Sequence, residues 1–326
     1  MNTARALLAV TAATTIALTL GACSTSSGGD PGDDDTLNIW YVNPLTSYPA
    51  WAASMQKFED EATEGGYVAT GVGPNKLDTA TNVSQIEQAI AEGADGIIFC
   101  NTDPASFESS IKKAHDAGIV MVTIGCVDEV SDYAVGTDNE AFGIASADAI
   151  AEGAGEDAVV GIISTDRTTP NQLAQVTAFE EYIKKTYPDM KVGAWESDNS
   201  DTALAAQKIT GILQADSSIN AIWCVEGQCP GGVATGLTEA GKQPGDVFVL
   251  GIDTVDTTIG ALEDGWLGAT LNQCWFDATQ LATNLIRAKV EDQPSDQQFW
   301  GIGVDAVTAD DLPYDGCSAD LIPTLK

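Results

Sequence analysis

The stretch Ala89-Ile90-Ala91-Glu92-Gly93-Ala94-Asp95-Gly96-Ile97-Ile98-Phe99-Cys100 decides the fold. A helix end passes through a short Gly-containing turn into an unbroken apolar run that stops at a Cys. Unbroken rather than alternating apolar runs are what a parallel strand needs when helices cover both of its faces. Runs of the same kind fall at 37–42, 96–100, 120–124, 159–163, 221–225, 247–252 and 268–271. Between them Trp51, Met55, Phe58 and Ala62 recur at helical spacing, as do Val83, Ile86 and Ile90, and then Phe107, Ile111 and Ala114. Asp103-Pro104 opens the last of these helices as N-cap and first turn, and Gly118 closes it. Strand and helix alternate, which predicts an α/β fold with doubly wound parallel sheets.

The opening stretch has an echo. Residues 212–224 again run from a helix end through a turn and a buried run to Cys224. Two generic strand–helix units would give this; so would two lobes of similar topology whose strand ends face across a cleft. Open α/β sheets bind ligands outside the carboxyl ends of their strands. The loops after Cys100, Ile124, Ile163, Val225 and Ile252 are therefore the ones to search.

Composition excludes several functions. Against 14 Lys and Arg stand 48 Asp and Glu over 326 residues, a net charge of −34, so the clustered cations that bind nucleic acid are missing. At 44% hydrophobic and 19% charged residues the chain can pack a core, and its length suits two domains. His115 is the one histidine, which removes His triads and multi-His metal sites, and its place near a helix end gives it a structural role. Gly71-Val72-Gly73-Pro74 lacks the third Gly of a dinucleotide fingerprint, and no P-loop occurs. The expectation is a non-enzyme without metal or cofactor.

The amino terminus reads as an address. Arg5 precedes an apolar run, Ala6 to Leu20, too short for a spanning helix and suited to an export signal. It ends in Leu20-Gly21-Ala22-Cys23, which resembles a bacterial lipobox, so residues 1–22 are expected to be removed and Cys23 lipidated. Residues 23–35 hold Ser, Gly, Pro and Asp with nothing apolar to bury, a disordered tether. The protein is expected to be exported and anchored on the outer face of the cell membrane. Six further cysteines, Cys100, Cys126, Cys224, Cys229, Cys274 and Cys317, could form three bridges in an oxidising compartment, among fifteen pairings. Cys224/Cys229 is the easiest local pair, and Cys100/Cys126 would sit at neighbouring strand ends. The spacing fits no zinc site, since no C-x-x-C occurs.

Over residues 36–310 the chain resembles the ribose- and galactose-type periplasmic sugar-binding proteins, type I solute receptors of ATP-binding-cassette importers. The resemblance is carried by Tyr48-Pro49-Ala50-Trp51, by residues 91–98, by Ala114-His115-Asp116-Ala117-Gly118-Ile119, by Val135-Gly136-Thr137-Asp138-Asn139, and by Val249-Leu250-Gly251-Ile252-Asp253. It implies two lobes, 36–138 plus 274–301 and 139–273 plus 302–326, joined by a three-segment hinge. It implies as partners a small sugar or polyol and the permease subunits of an importer, for a monomeric protein.

Carried residue by residue, the resemblance puts Tyr48 and Trp51 in the first-helix cluster that holds sugar-stacking aromatics, while Ala50 lacks one. Asn101 matches a polar strand end; Asp253 and Gln273 match ligand contacts unchanged; Glu226 stands where Asn or Asp is usual. Two departures matter: the family's Asp-Arg clamp is Gly125-Cys126 here, and the Arg of a second-lobe helix is replaced in Pro170-Asn171-Gln172-Leu173. These suggest the rhamnose or autoinducer-2 branch.

The chemistry of such a cleft fits these residue types. A polyhydroxyl ligand must regain its hydrogen bonds with water from planar groups such as Asp253, Gln273, Asn171, Asn101 and Glu226. Its C–H faces pack on rings such as Trp51 and Trp275. Asp103, Glu226 and Asp253, with only Arg167 near, would repel acidic sugars; a neutral sugar or polyol fits, and a cationic solute is compatible. Asp138 is either a ligand contact or the cap of the following helix. Trp40 and Trp223, inside apolar strands, belong to the core. Rival readings are a ligand-presenting sensory protein for a kinase or chemoreceptor, a nucleoside-binding lipoprotein, and a secreted carbohydrate-active enzyme.

Overall fold

The computed structural model describes residues 36–314 and 316–325; the expected signal peptide, the lipobox with Cys23 and the tether lie outside them. Two six-stranded sheets share the chain. The strands are β1 (Leu37–Val42), β2 (Tyr67–Val72), β3 (Gly96–Phe99), β4 (Val120–Ile124), β5 (Tyr133–Thr137), β6 (Val159–Ser164), β7 (Lys191–Ser197), β8 (Ala221–Cys224), β9 (Phe248–Ile252), β10 (Ala269–Gln273), β11 (Phe299–Ile302) and β12 (Val304–Val307). The helices are α1 (Pro49–Asp60), α2 (Ala62–Gly65), α3 (Thr79–Ala91), α4 (Pro104–Asp116), α5 (Asn139–Ala154), α6 (Pro170–Thr186), α7 (Thr202–Ala215), α8 (Cys229–Glu239), α9 (Asp256–Glu263) and α10 (Thr279–Val290).

The first sheet runs β11-β5-β4-β3-β1-β2 and is parallel throughout; the second runs β12-β10-β9-β8-β6-β7, with only β12 antiparallel. This is the doubly wound α/β architecture in two lobes. Central strands β3, β4, β6 and β8 are buried along their whole length, which is why their sequences show no polar alternation. The expected strand at 268–271 is shifted, forming at Ala269–Gln273, and β2, β5, β7, β11 and β12 join those expected. Of these, β2 and β7 are edges with side chains half in water, so their sequences lack a pure apolar run.

Helix starts follow side-chain chemistry. Asp78, Asp138 and Asp201 cap α3, α5 and α7 by accepting from backbone N–H groups in the first turn. Asp103 sits at the cap of α4, but its carboxylate takes the Ser106 hydroxyl instead. His115, in the last turn of α4, pairs with Asp132 at 3.3 Å. Each lobe has its own core. Trp223, fully buried, packs on Phe142 and Phe179 with ring centroids 6.4 and 4.9 Å away, and Trp40 is buried in the first lobe. A side chain of that size contributes about 2–3 kcal/mol by leaving water.

The chain passes between the sheets three times: after β5 at Asp138, after β10 at Cys274, and between β11 and β12 at Gly303. The tail departs from the expected division. Although β12 joins the second sheet, Cys317, Leu321, Ile322 and Leu325 pack on the first lobe's core, and Cys317 is bonded to Cys274. The other disulfides are Cys100–Cys126 and Cys224–Cys229.

Candidate ligand-binding cleft

Strand polarity sends the carboxyl ends of both sheets to one place, and the loops leaving them enclose a cavity of about 240 Å³. From the first lobe come Leu45, Tyr48 and Trp51 around the start of α1, Gly125 and Cys126 after β4, and Trp275 and Phe276 after β10. The second lobe supplies Thr165, three residues of α6, Ser200, the loop 225–228, and Asp253 after β9. Larger hollows also lie among the described residues, including ones of about 410 and 260 Å³ and two larger still. One of about 690 Å³ lies along α5 and α6, and one of about 760 Å³ is bordered by Pro49, Asp256, Tyr314 and Gly316. Among the described residues only the cavity of about 240 Å³ gathers carboxamides, carboxylates and indoles at strand ends.

Local chemistry fixes each contributor. Asn43 holds the approach to α1 by donating to the Trp51 carbonyl (2.7 Å) and accepting from the Leu45 N–H (2.9 Å). Trp51 then meets Trp275 at 4.4 Å between centroids, and Trp275 meets Phe276 at 3.6 Å, forming an apolar wall. Gly125, at φ 72°, leaves the room that the Trp275 ring fills; a Cβ there would lie 2.9 Å from it.

Asp253 is the junction. It adopts φ 61°, with its carbonyl taken by the Thr270 hydroxyl at 2.8 Å. The Tyr48 hydroxyl, from the other lobe, donates to Oδ2 at 2.5 Å, and Gln273 Nε2 donates to Oδ1 at 3.0 Å. Gln273 in turn accepts from the Thr137 hydroxyl at 3.0 Å. Burial pushes the Asp253 carboxyl up to about 6 although both hydrogen bonds favour its anion. The Tyr48 hydroxyl is driven well above the tyrosine range, first by burial and then by the Asp253 charge. It fits because residue 227 is Gly: a Cβ there would stand 2.3 Å from the Tyr48 oxygen.

Glu226 lies deeper. It is 6% exposed and accepts from the Gln228 N–H at 3.0 Å. Burial, reinforced by the carboxyl of Asp198, raises it to about 8. Asp198 has no accessible surface and is also raised by burial. Gln175 Oε1 finds no donor among the described residues, while the carboxyls of Glu226 and Asp198 are hydrogen-bonded to each other through a shared proton.

Of the expected contacts, the cavity brings together Tyr48, Trp51, Cys126, Asn171, Glu226, Asp253, Gln273 and Trp275. Three do not line it. Asn101 is buried and donates to Asp128 at 2.7 Å, bracing the loop after β4. Asp103 points to solvent at the start of α4. Asp138 spends its carboxylate on the N–H groups of Glu140 and Ala141, both at 3.0 Å, as a helix cap. Arg167 lies over the Trp195 ring, 4.6 Å from its centroid, and does not line the cavity.

Sequence reading passed over Gln172, Gln175, Phe276, Thr165, Ser200, Gln228 and Asp198. Helical spacing could have found Gln175, one turn beyond Asn171 and Gln172. Nothing local distinguishes Asp198 from a turn residue in Asp198-Asn199-Ser200-Asp201.

With this geometry, comparison with known proteins is decisive for the class. Residues 39–294 match the family described as periplasmic binding protein domain, so the chain belongs to that family. It is 28% identical over 241 residues to the D-allose-binding periplasmic protein of Escherichia coli K12, covering 70% of this chain and 76% of that one. It is 24% identical over 284 residues to a xylitol-binding protein of Mycolicibacterium smegmatis, covering 83% and 77%. Among solved structures, an ABC transporter solute-binding protein from Burkholderia graminis C4D1M, in complex with D-arabinose, superposes with a TM-score of 0.77. That match has 23% identity over 86% of this chain and 98% of that one. The relatives are sugar-binding, extracytoplasmic solute-binding proteins rather than enzymes, and the importer type implies permease partners.

Proposed function

We propose that this protein is a monomeric, lipid-anchored solute receptor that captures a sugar or polyol bearing no negative charge between its lobes and delivers it to an ABC importer. The observation that carries this is the cavity at the meeting of both sheets' carboxyl ends, bridged by the Tyr48–Asp253 hydrogen bond. Indole faces oppose planar hydrogen-bonding groups, as a ring or chain with alternating C–H and O–H faces requires. Carboxylates without a lining cation disfavour acidic ligands.

Ligand touching both lobes shifts an open–closed equilibrium about the three crossings, and the importer reads the closed form. In this reading the lobes are 36–138 with 274–301 and 139–273 with 302–307, the tail beyond bracing the first. Cys23 carries the lipid.

A thermal-shift screen of the purified protein against sugars, polyols, nucleosides and amino compounds tests it. Ligand at about a hundredfold over Kd stabilises by about 2.7 kcal/mol. A sugar or polyol should raise Tm; response to nucleosides alone, or to none of the classes, refutes the proposal.

A further inference from the structure

The second-lobe wall of the cleft holds more acceptors than donors. Gln175, a lining residue 1% exposed, donates through Nε2 to Asn139 Oδ1 at 3.0 Å, which fixes the amide and leaves Oε1 without a donor. Glu226 Oε1 takes no N–H either, and without ligand its carboxyl is hydrogen-bonded only to that of Asp198 on this side. Asp198, fully buried, accepts from the Ser200 N–H through Oδ1 at 2.9 Å and meets the Glu226 carboxyl. A buried acceptor left without a donor is costly, and more so when charged. The counter-charge is also missing. No Lys, Arg or His is among the described residues lining the cavity, and Arg167 is engaged with Trp195.

A sugar hydroxyl supplies one proton and brings lone pairs that need donors of their own. A protonated amine supplies three donors, no acceptor and a positive charge. The opposite wall, Trp51, Trp275 and Phe276, offers ring faces that pack a carbon skeleton and favour a nearby cation.

We infer that the ligand is an amino sugar or amino polyol, whose ammonium group docks between Glu226 and Gln175 with Asp198 behind them. This rests on the cleft being a sugar or polyol site, and it settles which members of that class are preferred. Without ligand the Glu226–Asp198 pair keeps a proton, held there by burial and by the facing carboxyl. The ammonium replaces that proton as the charge that makes two adjacent carboxyls tolerable.

The test is isothermal titration at about pH 7, in an amine-free buffer, on the full protein. D-glucosamine, D-galactosamine, D-mannosamine and 1-amino-1-deoxy-D-sorbitol are each compared with the parent hydroxyl compound and the N-acetylated form. At least one amine should bind about tenfold or more tighter than both of its counterparts. The Glu226→Gln variant should lose that preference while melting as a folded protein. If in every series that binds a parent or N-acetyl compound binds as tightly as its amine, the ammonium assignment is overturned and the receptor reading stands. If the preference survives Glu226→Gln, the docking residues are wrong. If no amine binds while another sugar or polyol of the thermal screen does, the ammonium assignment is overturned and the receptor reading stands.

Discussion

Replacing Glu226 by Gln should change how the unliganded protein responds to pH. In the folded chain burial and Asp198 hold the Glu226 proton up to about 8, against 4.5 for an ordinary glutamate. The folded state therefore keeps a proton that the unfolded chain releases between those values, and stability falls as pH rises through that window. The contribution is complete below about pH 4.5 and gone above about pH 8. At about 1.36 kcal/mol per tenfold in proton affinity, the span sets a ceiling of about 5 kcal/mol. Sharing with Asp198, which is also raised, brings the expected loss to on the order of 2–5 kcal/mol. The variant carries an amide at this position at every pH and has no proton to lose. Scanning calorimetry of both proteins at about pH 5 and pH 8.5 separates this effect from the general repulsion of a chain with net charge −34, which they share almost equally. The variant should melt within about 2 °C of wild type at the lower pH and several degrees above it at the higher, at about 2 °C per kcal/mol. Equal slopes for the two proteins would show that Glu226 carries no such proton.

The remaining expectations concern closure and binding. Tyr48→Phe deletes the hydroxyl that reaches Asp253 across the lobes, and a hydrogen bond to a charged group is worth about 1.5–3 kcal/mol. Calorimetric affinity for the best ligand of the thermal screen should drop about tenfold to a hundredfold; unaltered affinity would mean the bridge is incidental. Gly227→Ala places a methyl 2.3 Å from the Tyr48 oxygen, so small-angle scattering of the ligand-saturated variant should show a larger radius of gyration than wild type. A superimposable profile would dispose of the steric argument. Trp51→Ala and Asp253→Ala should each abolish the ligand-induced Tm rise and leave the unliganded melt within a few degrees. Two wild-type responses would remove the cleft assignment.

Much of this architecture is legible in the chain because burial leaves a plain mark. Ile97-Ile98-Phe99 and Ile222-Trp223-Cys224 are covered on both faces and carry nothing polar, so their position and type follow directly. Tyr67 to Val72 on an edge does not carry that mark, and the four-residue strands at 299–302 and 304–307 form only because distant partners hold them. In the cleft, Asp253 and Gln273 are readable from motif and strand end. Asn101, Asp103 and Asp138 fall outside the cavity because a short polar residue after a strand serves equally as ligand contact, loop brace or helix cap; the choice depends on where the neighbouring N–H groups point. Asp198 is hidden for the opposite reason. Its sequence is that of a turn, and only folding brings it against a glutamate 28 positions away.

Each sheet borrows its last strand from beyond the other lobe. A fragment ending at Thr137 would leave β5 without β11 and would lose α10, whose Leu281, Leu285 and Ile286 close the first core. A fragment of 139–273 would keep five strands but expose β10, the strand that carries Gln273 into the cleft. Neither half can be excised as a contiguous piece with its sheet complete, so truncation series should fail at every cut inside the body. Circular permutation at surface turns is the sounder route to rewiring this chain.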